Sequence, residues 1–123
     1  MARLNHEDSI LYRPVIRESV GMDAGEVTAA AGAATLNRMA GQVTTEALTT
    51  AAAAEYTLTL TNNQIAAGDM VFASVDAAAS TGTPGIGGCT VTVGQVIITV
   101  TNLHATVAFS AAIKINFFVV KRK

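Results

Sequence analysis

The sequence predicts an all-β protein: a small β-sandwich, jelly-roll-like or barrel-like, of six to seven short strands preceded by an extended N-terminal arm. Three observations carry this expectation. Threonine alternates with aliphatic residues in EYTLTLT (55–61) and TVTVGQVIITVT (90–101), the period-two signature of a half-buried strand. Turn signals such as Asn62-Asn63 and Gly94-Gln95 separate the strand-like runs at intervals of roughly 8–12 residues. Charge is also unevenly placed. Between Met39 and Val120 the charged residues are only Glu46, Glu55, Asp69, Asp76 and Lys114, whereas the other charges lie in residues 1–38 or 121–123. The expected division is therefore an arm over residues 1–40 and a β body over 41–123.

In the arm, Leu4, Ile10, Leu11, Val15, Ile16 and Val20 are scattered among charges, a pattern that cannot build a core of its own. Arg13-Pro14 biases the backbone to an extended form. The Ala-rich stretch 28–40, TAAAGAATLNRMA, allows at most one short helical turn. Gly32 and the missing apolar stripe oppose a longer helix.

The body starts with a weakly alternating strand over 41–50, followed by a loop or helical turn at 51–54. The run 55–61 is a clear strand with Tyr56, Leu58 and Leu60 on one face and Thr57, Thr59 and Thr61 on the other. A third strand over 69–76 sets Val71, Ala73 and Val75 against Met70, Phe72 and Ser74. The small-residue stretch 77–88 reads as a loop. In the 90–101 hairpin, a type II′ turn at Gly94-Gln95 would place Val93 opposite Val96, Val91 opposite Ile98 and Cys89 opposite Val100. Residues 102–105 turn the chain, and Val107 and Phe109 allow a short strand over 106–110. The last strand, 112–120, points Ile113, Ile115, Phe117 and Val119 inward and Lys114, Asn116, Phe118 and Val120 outward.

Half of the residues are hydrophobic, 14% are charged and the net charge is −1. Soluble domains average about 25% charged residues. No global field draws the chain to nucleic acid or an anionic membrane, so neither is an expected partner. The single Cys89 makes no internal disulfide. The N-terminal residues show no apolar signal-peptide core, and no apolar run approaches the ~18 residues of a spanning helix. A surface of Thr, Ala, Ser and Asn suggests cover by other copies or a partner, set against the plainer reading of a neutral β surface with no partner. About 80 residues of body would bury only roughly 60% of their surface, which favours oligomerisation where disulfides and metals are missing. Phe72, Ile97 and Phe118 fall on the wrong face of their strands. They mark either the other side of a closed sandwich or an oligomer interface.

Catalytic and cofactor signatures are weak, and neither an enzyme nor a cofactor is expected. His104 in TNLHAT has no acidic or Cys neighbour and reads as a turn residue bonded to backbone rather than a base or ligand. Cys89 reads as a small buried hydrophobe rather than a nucleophile. The glycine-rich stretch 82–88 lacks a Gly-Lys-Ser/Thr ending and leads into a strand, not a helix, so it does not form a phosphate loop. Asp69 and Asp76 bracket a strand without any demand that they converge. The closing basic run 121–123 reads as a solvated terminus.

Two runs carry a family resemblance. ATLNRMAGQVTTEALTTAAAAEYTLTLTNNQIAAGDMVFASV and VIITVTNLHATVAFSAAIKINFFVV together resemble small head decoration (cement, or head-fibre-like) proteins of tailed bacteriophages. The features are a TLN-x-MAG start, a TTEALTTAA-x-x-x-YTLTLTN strand pair, and a TNLHA turn before a final IKINFFVV strand, over residues 34–120. The resemblance implies a β-rich, commonly trimeric structural protein on the outer surface of an icosahedral head, with the major capsid protein as partner and no catalytic residues. Composition then suggests that the arm meets the capsid, through Arg3, Leu4, Ile10, Leu11, Arg13, Val15, Ile16 and Arg17. The alternatives are a carbohydrate- or ligand-binding β-sandwich, adhesin-like in kind, and a subunit of a self-assembling tube. A sugar platform needs exposed Trp or Tyr, and here Trp is absent and the tyrosines are Tyr12 and Tyr56.

Overall fold

The computed structural model describes residues 24–122. The arm residues Arg3, Leu4, Ile10, Leu11, Arg13, Val15, Ile16 and Arg17 lie outside them. The described chain is all-β, with β1 (Ala24–Thr28), β2 (Ala33–Thr35), β3 (Ala40–Thr44), β4 (Glu55–Thr61), β5 (Met70–Asp76), β6 (Pro84–Thr92), β7 (Gln95–Asn102) and β8 (Lys114–Val120). Two four-stranded sheets form, one in the order β1-β3-β8-β5 and the other β2-β4-β7-β6.

Period-two alternation builds the core where it is cleanest. Tyr56, Leu58 and Leu60 of β4, Val96, Ile98 and Val100 of β7, and Ile113, Ile115, Phe117 and Val119 on and beside β8 are all buried. Leu58 lies opposite Ile98 and Leu60 opposite Val96 within one sheet. Val43, Ile115 and Phe117 meet them from the other sheet as part of one cluster. Each fully buried aliphatic side chain of this kind contributes roughly 1.5–3 kcal/mol.

Several expectations need correction. Residues 24–40 are not an arm with a helical turn: they hold β1, which pairs in parallel with β3, and β2, which pairs in parallel with β4. Gly25 lies beside Gly41, and a Cβ on Gly41 would sit 2.5 Å from Leu36 Cδ2 and 2.9 Å from the Gly25 carbonyl. The two glycines thus let Leu36 close over the β1–β3 pair. Short, Ala- and Gly-rich strands show no alternation in sequence, and parallel pairing at long range leaves no turn signal. The arm–body boundary expected at residue 40 therefore falls inside the sandwich.

The hairpin keeps the expected faces but shifts in register by two. Thr92 pairs with Gln95, Val91 with Val96 and Cys89 with Ile98, so Val93-Gly94 forms the loop. Gly94 takes φ 79° at the second loop position, the pattern of a type II turn. The shift has a tertiary cause. Gly94 N–H donates to the Ile65 carbonyl and its own carbonyl accepts from Asn62 N–H, both at 2.9 Å. Val93 is consequently 75% exposed, whereas Val96 and Ile98 are fully buried.

Residues 84–88, expected in a loop, begin β6 and pair with β7 across a bulge between Ile86 and Gly88. Glycines carry no side chains to reveal the alternation. The 41–50 strand stops at Thr44, because the Ile113 N–H donates to the Thr45 hydroxyl (3.0 Å) instead of a main-chain carbonyl. Residues 106–110 form no strand. Thr106 and Val107 N–H groups donate to His104 Nδ1, and Phe109 N–H donates to the Thr50 carbonyl, which ties the segment to loops one residue at a time.

Candidate functional surface on the first sheet

The outward residues of the β1-β3-β8-β5 sheet line up in rows set by the strand register. One row runs Ala24, Ala40, Phe118, Phe72. The next runs Glu26, Gln42, Asn116, Ser74, and the third Thr28, Thr44, Lys114, Asp76. Val120 beside Met70 extends the apolar end. The sheet's outer face is therefore apolar at one end and polar at the other, on the same four strands.

The apolar end is open. Phe72 is 50% exposed, Met70 47% and Phe118 40%. The two phenyl rings stack across β5 and β8, with centroids 5.1 Å apart and planes at 19°. Stacking covers one face of each ring with the other and still leaves about half of each side chain exposed to a partner. Shallow grooves flank Phe118 on both sides: one of about 160 Å³ reaching Phe72, Ser74 and Asn116, and one of about 400 Å³ bounded by Ala24, Ala40, Gly41 and Gln42. Within the polar row, Gln42 Nε2 donates to Asn116 Oδ1 (2.8 Å) and Asn116 Nδ2 to Ser74 Oγ (3.4 Å).

Of the three residues read as a second apolar surface, Phe72 and Phe118 come together. Ile97 does not: it lies half-buried on the other sheet between Thr59 and Thr90. Met70 joins the patch and was not singled out in sequence, although it shares the parity of Phe72. No family model, no curated protein and no solved structure matches the chain significantly.

The remaining candidates sit apart. His104 Nδ1 accepts two backbone N–H groups at 3.0 Å, the turn role expected of it. Cys89 is half-buried, and burial raises its thiol pKa. Among the described residues no cluster of three His, Cys, Asp or Glu side chains could hold a metal ion. Asp69 and Asp76 stand at opposite ends of β5. Lys121 is not a solvated terminal charge: its ammonium donates to the buried Asp69 carboxylate and to the Gln64 carbonyl. That ammonium, with the Ala66 N–H, holds the Asp69 pKa below the ordinary carboxylate value. Burial, with the Glu46 carboxylate as hydrogen-bond partner, raises the pKa of Tyr56. Glu46 in turn accepts from Tyr56 Oη (3.0 Å) and from Gly32 N–H (2.8 Å), which joins β4 to the β1–β2 turn.

Proposed function

We propose that the protein is a structural virion component, a decoration or cement protein that binds the outer surface of a bacteriophage icosahedral head as an oligomer and stabilises the capsid. The observation that carries this reading is the exposed, stacked Phe72–Phe118 pair with Met70 on a body that has few charges of its own. Apolar patches of this kind mark interaction surfaces. The sequence resemblance to phage head decoration proteins supports the same reading and implies three-copy assembly and the major capsid protein as partner. The mechanism is mass action: a protein that binds only the assembled shell lowers its free energy by RT ln(1 + [L]/Kd).

The arm contributes charged and apolar side chains, from Arg3 to Arg17, suited to seat on a capsid groove and fix register. Because β1 begins at Ala24, the informative truncation removes residues 2–23. Full-length protein is expected to co-sediment with undecorated heads assembled from the major capsid protein of the same genome, and the truncated form to lose most of that binding. Equal binding by both forms would move the capsid contact to the body. Failure of the full chain to sediment with the heads would reject the decoration reading.

A second reading, a glycan-binding module, draws on the amides of Asn116 and Gln42 beside the aromatic pair. It predicts saturable glycan binding that is lost in a Phe72→Ala, Phe118→Ala variant.

A further inference from the structure

We propose that the outer face of the β1-β3-β8-β5 sheet pairs with the same face of a second copy, about a two-fold axis running parallel to the strands between β3 and β8. The inference rests on the reading of the body as a self-associating unit, not on the identity of any shell. Its basis is the order of residues in the rows. Ala24, Ala40, Phe118, Phe72 is a sequence of two small and then two large side chains across four strands. A two-fold axis along the strands reverses strand order and keeps each row over itself. Phe72 of one copy then faces Ala24 of the other, and Phe118 faces Ala40. Large lies on small at every position, which fills the roughly 10 Å between packed sheets evenly. The groove of about 400 Å³ between Phe118 and β1 is the seat this arrangement fills.

Charge agrees with shape. In the reversed rows Glu26 faces Ser74, Lys114 faces Thr44 and Asp76 faces Thr28, so no like charges meet. The amides of Gln42 and Asn116 already bond within the row, and in the reversed arrangement Gln42 of one copy faces Asn116 of the other. Isologous contacts require this kind of self-complementarity. Four strands at ~4.8 Å, two of five and two of seven residues at ~3.3 Å each, give a face of no more than roughly 19 by 23 Å, below the roughly 1,200 Å² of total buried area at which stable specific interfaces begin. Pairing is therefore concentration-dependent.

The test is light scattering of the full chain over a concentration series. The expected result is a rise toward twice the 12.6 kDa chain mass. Ala24→Phe alone and Phe72→Ala alone should each weaken pairing about tenfold or more, and the double variant, which exchanges large and small within the row, should restore it. Both positions are exposed, and circular dichroism checks that each variant stays folded. A monomer at all concentrations overturns the proposal, as does pairing that emerges only once residues 2–23 are removed. A trimer insensitive to these substitutions overturns the two-fold contact while leaving the decoration reading intact.

Discussion

Two asparagines close two strands in the same way. LTLTN carries β4 out to Asn62, one residue past its end, and ITVTN ends β7 at Asn102, and both asparagines are fully buried. Asn62 Oδ1 accepts Gln64 N–H (3.0 Å), and Asn102 Oδ1 accepts His104 N–H (3.1 Å), each an Asx turn that redirects the chain. Their second ends differ. Asn62 Nδ2 reaches the Arg38 carbonyl at 2.6 Å. Asn102 Nδ2 reaches the Thr50, Ala51 and Val107 carbonyls, and its Oδ1 also accepts Thr83 N–H, so one amide gathers three loops. Removing a buried hub leaves its partners unpaired, each at a cost of about 1–3 kcal/mol. Asn102→Ala is expected to destabilise by about 3–4 kcal/mol and Asn62→Ala by about 1–2 kcal/mol, read by denaturant unfolding. The reverse order would show that the loops at the Asn102 end are not held by its amide. Sequence reasoning placed both residues in turns but could not show how many carbonyls converge, since those lie as far as Thr50 and Val107. Asp69 makes a prediction in pH. Its folded pKa lies below the unfolded value of about 3.9, so its stabilising effect is complete above that value. The effect is lost as pH falls through 3.9 and then through the lower folded value. Asp69→Asn should flatten the acid limb of stability against pH, and an unchanged limb would mean that the Lys121 contact does not persist in solution.

At the scale of elements, legibility followed side-chain content. β4 was read with the bounds it has, and β8 with its inward face complete, because Thr, Leu, Ile and Phe alternate without interruption. β1 and β2 were missed because Ala and Gly carry no alternation and their partners are distant. The hairpin strands were right in face and wrong in register, since the turn is fixed by hydrogen bonds to residues 62–65 and not by its own two residues. The candidate surface was half legible: Phe72 and Phe118 were recognised as misplaced, but their pairing needed the β5–β8 register. The status of β1 can be tested directly. Removing residues 2–23 should leave the thermal transition nearly unchanged. Removing residues 2–33 strips β1, exposes the partly buried Val27 and buried Ala29 contacts with the core, and should lower the transition by several degrees or abolish it. Equal transitions for the two truncations would show that β1 adds nothing to the sandwich.

Across the whole molecule, the two sheets present different exteriors. The outer face of the second sheet is threonine-rich with Ile97 half-buried between Thr59 and Thr90, whereas the first sheet concentrates its aromatic side chains at one end. The stacked aromatic patch thus lies on one sheet, while the exposed Val93 and Leu103 lie just beyond the two ends of β7 in the other. That asymmetry suits a unit with a defined inside and outside when it sits on a larger assembly. Simultaneous Phe72→Ser and Phe118→Ser substitution should lower the association state while Ile97→Thr leaves it alone. The opposite pattern, read by light scattering, would put the contact on the other sheet.

The position of β8 has a consequence for how the chain acquires its shape. In the first sheet β8 lies between β3 and β5, with Phe118 paired to Ala40 on one side and Phe72 on the other. Until β8 is supplied, β3 and β5 have no hydrogen-bonded neighbour in common, although the β6–β7 hairpin can already close locally. On the ribosome, then, this layer waits until β8 has followed the β6–β7 hairpin out of the tunnel, and until then its unpaired strand edges stay available to other nascent chains. Folding dominated by such distant pairings falls in the millisecond-to-second range.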